Sequence, residues 1–308
     1  MQIYLPIADM PVSVILILLM GLAVGFLSGM FGIGGGFLLT PLLIFVGISP
    51  AVAVATVSSH IAASSLSGVF SYWRRKALDV VLAAMLLVGG LIGTSIGVWL
   101  ISLLRRFGQL DLAIGLSYVT LLGTVGGLMV VESARAIARA RQGKRADIRR
   151  PGSHTWFHGL PLKMRFKQSK IYVSVIPVWV IGMLIGFLGA VMGIGGGFLL
   201  VPALIYLLRV PTSTVVGTSM VVTLVTMLAA TVLHAVTNEA VDIVLAFILM
   251  LGGVVGAQFG ARAGQRIRGE QLRLLLGLMI LAVGMRFFID LVVTPDDLFS
   301  LQRVEAGQ

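Results

Sequence analysis

Apolar residues fill this chain in ten blocks separated by short polar or glycine-rich breaks. The first five lie at roughly 12–31, 36–47, 51–73, 78–103 and 110–131. The second five lie at roughly 174–192, 197–208, 213–236, 241–262 and 272–292. Most are long enough for a helix to cross a hydrocarbon layer about 30 Å thick. The second block of each set is too short to span comfortably, so it either crosses or re-enters. It follows directly on Gly34-Gly35-Gly36 or Gly195-Gly196-Gly197, and it carries Pro41 or Pro202 near its start. The pattern predicts an all-α, polytopic transmembrane bundle. A first transmembrane repeat covers 12–131, a loop 132–173, a second repeat 174–292 and a C-terminal tail 293–308.

The two sets of blocks are copies. Phe26-Leu-Ser-Gly-Met-Phe-Gly-Ile-Gly-Gly-Gly-Phe-Leu-Leu-Thr-Pro41 returns as Phe187-Leu-Gly-Ala-Val-Met-Gly-Ile-Gly-Gly-Gly-Phe-Leu-Leu-Val-Pro202, with Gly32 and Gly193 161 residues apart. Thr56 then matches Thr218, Asp79 matches Asp242, and Gly89, Gly90, Gly93 and Gly97 match Gly252, Gly253, Gly256 and Gly260. Self-similarity of this length marks an internal duplication. Five crossings is an odd number, so the second copy is expected to lie inverted with respect to the first. The inversion holds even if each short block is re-entrant.

Composition fixes the solvent. The chain is 58% hydrophobic and only 11% charged, with a mean hydropathy of +1.04. That is too little charge to cover a water-soluble domain of 308 residues. Membrane lipids are therefore its surroundings. No Lys or Arg precedes the first apolar block between Met1 and Pro11, so that block is expected to be a retained helix rather than a cleaved signal. The chain has no cysteine, which removes disulfides and thiolate metal sites, and no cofactor is expected.

The net charge of +11 reads as topology. Eleven of the 23 basic residues fall between Arg135 and Lys170, opposed only by Asp147. A basic segment between spans belongs on the cytoplasmic side. Arg74-Arg75-Lys76 and the cluster Arg262, Arg266, Arg268 and Arg273 then lie inside as well. The N-terminus, Asn238, Glu239, Asp242 and the acidic tail lie outside. Arg105-Arg106 is the exception. Nucleic acid is not an expected partner.

The Gly-Ile-Gly-Gly-Gly turns carry the most chemistry. They lack the strand context and spacing of a dinucleotide fingerprint, and the chain has no G-x-x-x-x-G-K-[ST] for nucleotide-driven pumping. A glycine turn before a short helix leaves that helix starting inside the membrane. Its first N–H groups are unpaired and its dipole is positive there, which suits an anion. Broken helices in matching positions of two halves point to a carrier's binding site. The candidate site is therefore Gly34, Gly35, Gly36 and Phe37 with Gly195, Gly196, Gly197 and Phe198. The plainer alternative is that these glycines only permit a tight turn. Glycines repeating every four residues (Gly21, Gly25, Gly29; Gly89, Gly93, Gly97; Gly252, Gly256, Gly260) read as faces for close helix packing.

The third block of each half adds hydroxyls: Thr56, Ser58 and Ser59, answered by Thr218 and Ser219. Each can donate to an anion or bond a carbonyl one turn back. His60 lies mid-segment, where an ionisable group either serves function, such as proton coupling, or stays neutral between helices. His234 reads as structural, and Asp79 and Asp242 as helix-start residues stabilised by the dipole.

The duplicated Gly-Ile-Gly-Gly-Gly-Phe-Leu-Leu-x-Pro, Thr56 with Ser58, Gly217-Thr218-Ser219 and the glycine-rich fourth blocks resemble the TauE/SafE sulfite-exporter family of membrane transporters. The resemblance covers 12–131 and 174–292. It implies a secondary carrier of sulfite, sulfonates or related organosulfur anions, with its glycine-motif residues at Gly32, Gly34, Gly35, Gly36 and Pro41 and at Gly193, Gly195, Gly196, Gly197 and Pro202. A carboxylate or phosphonate carrier, and a membrane scaffold acting through the basic loop, are the alternatives. An enzyme lacks support, because neither a His/Glu zinc pattern nor a G-x-S-x-G is present. The expectation is alternating access, either coupled to a proton or other ion or driven by the substrate gradient, in the cell inner membrane.

Overall fold

The computed structural model describes residues 2–31, 35–74, 78–141, 161–166, 168–169, 171–208, 210–264 and 269–292. Gly32, Gly34, Arg75, Lys76, Arg266, Arg268, residues 142–160 of the basic loop and the tail 293–308 lie outside the described residues. Among the described residues there are ten α-helices. In the first half these are α1 (Val14–Phe31), α2 (Gly36–Phe45), α3 (Pro50–Arg74), α4 (Val80–Arg106) and α5 (Leu110–Arg141). In the second they are α6 (Val175–Met192), α7 (Gly197–Tyr206), α8 (Thr212–Leu233), α9 (Ile243–Gly264) and α10 (Gly269–Val292). A π-turn over His234–Asn238 continues α8.

Among the described residues, six helices are long and apolar enough to cross a membrane. Their outer faces carry large apolar side chains, among them Trp99, Leu128, Phe247 and Phe259, while Thr56, Ser58, His60, Thr218 and Ser219 are buried. Apolar outside and polar inside is the arrangement lipid favours. The helices α2 and α7 have ten residues each, about 15 Å of rise, or half a bilayer.

Two short antiparallel hairpins precede the halves, and the apolar blocks gave no sign of them. Strands β1 (Gln2–Leu5) and β2 (Met10–Ser13) pair Gln2 with Ser13. Strands β3 (Lys163–Phe166) and β4 (Ile171–Ser174) pair Lys163 with Ser174. Each residue of the second hairpin stands 161 positions after its counterpart, the offset of the glycine motif. The stretch 132–173 thus holds the last turns of α5 and most of a hairpin, and Ser174 then caps α6 by accepting the N–H of Ile176 at 3.3 Å.

The longer helices pair mainly across the halves, α1 with α9, α4 with α6, α3 with α8 and α5 with α10, while α2 and α7 pack on α3 and α8 of their own halves. The glycine ladders make two of these contacts possible. A Cβ on Gly252, Gly256 or Gly260 would fall 2.4, 2.1 or 1.8 Å from the carbonyl oxygens of Leu18, Leu22 and Phe26. The register advances in the same direction on both helices, so α1 and α9 run parallel. The same holds for α4 and α6, where Gly89, Gly93 and Gly97 meet the carbonyls of Trp179, Met183 and Phe187. Small residues let backbones touch where the hydrophobic effect gives no drive for association.

Candidate anion site where two glycine turns meet

The chain breaks between α1 and α2, and between α6 and α7, where backbone angles suit glycine. Gly35 has φ 71°, and Gly193 and Gly195 have φ 62° and 72°. L side chains rarely adopt these angles. The N–H groups of Leu38 and Leu39 turn back to Gly35 O, and those of Leu199 and Leu200 to Gly196 O. The N–H of Phe198 also turns back, to Gly195 O, so the leading donors are those of Phe37 and of the glycines at the positive ends of α2 and α7.

These two ends touch. A Cβ on Gly36 would lie 2.5 Å from Gly193 O and 2.7 Å from Ile194 O. The rings of Phe37 and Phe198 stack at 5.1 Å with 20° between planes. Both phenylalanines are buried, as are Gly36 and residues 193–198. Sequence positions 161 residues apart have become neighbours in the interior. Thr40 Oγ1 donates to Gly193 O at 3.1 Å, the Tyr118 hydroxyl donates to Met192 O, and His234 Nε2 lies 3.2 Å from Ala190 O. Three side chains thus cover carbonyls at the C-terminal end of α6, which would otherwise be orphaned beside the site.

Helix α3 presents two faces. Val54 and Ile61 meet the turns: a Cβ on Gly193 would lie 2.9 Å from Val54 Cα, and Ile61 reaches both Gly36 and Gly195. Thr56 and His60, four residues apart and so on one face, point to α9 instead. Thr56 Oγ1 accepts the N–H of Asp242 at 3.1 Å, and His60 Nδ1 lies 2.9 Å from Leu249 O. With Nδ1–H donating to that carbonyl, His60 Nε2 is a buried atom without a partner. The ring lies over Gly253, whose added Cβ would come within 1.9 Å of Cε1.

The second half answers the first. Thr218 Oγ1 accepts the N–H of Asp79 at 3.1 Å. Ser58, Ser59 and Ser219 bond carbonyls of their own helices, at Val54, Thr56 and Val216, the local bonding open to any membrane-helix hydroxyl. Of the residues singled out from sequence, Gly35, Gly36, Phe37 and Gly195 to Phe198 come together at one point. Thr56, His60 and Thr218 stand on the neighbouring faces that join the halves. Gly34 lies outside the described residues. Sequence reasoning passed over Thr40, Ile61, Tyr118 and Thr223, whose roles depend on contacts between elements far apart in the chain.

A family model described as Sulfite exporter TauE/SafE matches residues 17–287. The chain belongs to the TauE/SafE family. Its relatives include the Bacillus subtilis "Probable membrane transporter protein YjnA", 30% identical over 273 residues that cover 88% of this chain and 98% of that one. A "Probable membrane transporter protein" of Xylella fastidiosa is 30% identical over 271 residues, covering 85% and 89%. The Arabidopsis thaliana "Sulfite exporter TauE/SafE family protein 2" shares 49% identity over 53 residues, 17% of this chain and 12% of its own length. No solved structure shows a significant match. This TauE/SafE chain is thus a multi-pass membrane transporter.

Proposed function

We propose that the protein is a secondary carrier of sulfite, sulfonates or related organosulfur anions, working by alternating access. One observation carries this reading: the positive starts of two half-length helices, one from each half, adjoin in the buried interior. In low dielectric such ends favour negative charge and supply N–H donors without placing a buried cation there. The parallel packing of α1 with α9 and α4 with α6 supports an inverted relation between the halves. Each short helix then approaches the midplane from its own side, and access alternates as one half moves against the other. Thr56 and Thr218 hold the halves in register beside the turns. In this reading the protein sits in the inner membrane with the central basic loop cytoplasmic and both termini outside.

In the contact described above the two turns are closed on one another, so substrate entry requires them to part. The test is flux into proteoliposomes of purified protein with sulfite, thiosulfate, sulfoacetate, taurine, acetate and phosphonoacetate supplied in turn. Saturable movement of the sulfur oxyanions supports the assignment. Movement of acetate or phosphonoacetate in their place would shift the substrate to a carboxylate or phosphonate, and no flux of any anion would remove the carrier reading.

A further inference from the structure

We infer that the anion site is one-sided, and that the hydroxyl of Thr223 on α8 anchors an oxyanion against the start of α7. This rests on the carrier reading above and names which half does the holding. Thr223 is 1% exposed, and its Oγ1 is a buried oxygen with no hydrogen-bond partner. Its neighbours are all engaged. Thr214, Ser219, Thr226 and Thr231 donate to carbonyls of Pro211, Val216, Val222 and Met227, and Thr218 accepts the N–H of Asp79. Among the described hydroxyls of α8, Thr223 alone is left over.

It is left over at a telling place. A Cβ on Gly196, the residue that caps α7, would lie 4.0 Å from Thr223 Oγ1. An unsatisfied buried hydroxyl is unfavourable in a packed core, and here it stands beside a helix start that draws negative charge. A sulfite or sulfonate group has several oxygens, so one can meet the N–H end of α7 while another accepts from Thr223.

The first half is built otherwise. The 162-residue step from Thr56 to Thr218 carries Ile61 onto Thr223. Ile61 is fully buried, and its Cδ1 and Cγ2 would lie 2.2 and 2.8 Å from Cβ atoms on Gly36 and Gly195. It is an apolar plug over the turn contact where its counterpart is a donor. Two helix starts with one free hydroxyl between them give a site that holds a single anion nearer α7 once the turns part, with Ile61 closing the other side.

The experiment measures sulfite and sulfoacetate binding to purified full-length protein in detergent, together with the melting temperature without ligand. Thr223→Val keeps the shape and removes the hydroxyl. It is expected to weaken binding by about ten-fold or more, the worth of a hydrogen bond to a charged group, with an unchanged or higher melting temperature because an orphaned polar atom is gone. Thr223→Ser is expected to restore binding, and Ile61→Thr to alter affinity without abolishing it. Wild-type affinity in Thr223→Val would overturn the inference. So would a fall in melting temperature that Thr223→Ser fails to reverse, since that marks a packing role. Gly196→Val separates the two levels: if it alone destroys binding, the helix-start site stands and Thr223 is dismissed. If neither variant changes binding, or the wild type binds neither anion, both readings fall.

Discussion

Thr56 and Asp242 stand 186 positions apart, yet the Thr56 hydroxyl receives the backbone N–H of Asp242 at 3.1 Å. The duplicated pair repeats the bond, with Thr218 receiving Asp79. Each aspartate then does two more things. Its Oδ1 caps its own helix, accepting from Leu82 or Leu245 at 3.1 and 3.0 Å. Its Oδ2 accepts from the hairpin of the opposite half: Ser169 N and Oγ for Asp79, and Ile7 N and Ala8 N for Asp242. The same knot therefore fastens the halves together twice.

Cutting either knot should destabilise the protein to a similar extent. Asp79→Ala and Asp242→Ala each remove a cap and leave backbone donors unpaired, for an expected loss of about 2–4 kcal/mol. Thr56→Val and Thr218→Val orphan one N–H each, for about 1–2 kcal/mol, and the serine variants should recover most of it. Thermal unfolding in detergent checks all six. A large loss at one aspartate and none at the other would show that the two knots are not equivalent.

The His60 ring and Gly253 form a second coupled pair. Gly253→Ala drives a methyl into the ring, and overpacking of this kind costs about 1–3 kcal/mol. Adding His60→Ala removes the obstacle, so the double variant should be more stable than the sum of the two singles by about 1 kcal/mol or more. Strict additivity would mean that the ring is not held where α9 bares its glycine. Gly127→Ala in α5 is the control. A Cβ there meets nothing within 4 Å, and stability should be unchanged or slightly raised.

Much of this could be read from residues alone. Apolar blocks marked every helix to within a few positions, α5 excepted, because block length and the lipid solvent determine them. The duplication placed Thr56 beside Thr218 and Asp79 beside Asp242 in register, but not that each threonine meets the other half's aspartate. That needs the α3–α9 and α8–α4 contacts, which no local pattern encodes. The hairpins escaped because four-residue strands show barely two periods of alternation, and the second begins in the basic stretch. The Thr223 hydroxyl escaped for another reason. Its partner in the repeat is Ile61, so symmetry hides it, and a lone threonine in an apolar helix reads as packing.

The basic segment between the halves can now be divided. Residues 142–160 precede β3, whereas Lys163–Phe166 and Ile171–Ser174 form the hairpin whose Ser169 holds Asp79. Replacing 142–160 with a short Gly/Ser linker is expected to preserve flux. Extending the deletion to residue 168 should lower both stability and flux, because Lys163–Phe166 and the approach to Ser169 are lost. Loss of all activity in the shorter deletion would favour a recruiting role for the loop.

The meeting of the two turns is most directly tested at Gly36. A single methyl there would sit 2.5 Å from Gly193 O and 2.2 Å from Ile61 Cδ1, so Gly36→Ala pushes the two helix starts apart with the smallest possible change. Displacements near 1 Å at a binding constellation can lower rates by about 100-fold. The measurement is sulfite flux in proteoliposomes, on protein that remains monodisperse and membrane-inserted. A loss of that order is the predicted result; wild-type flux from Gly36→Ala would contradict an anion site at this junction.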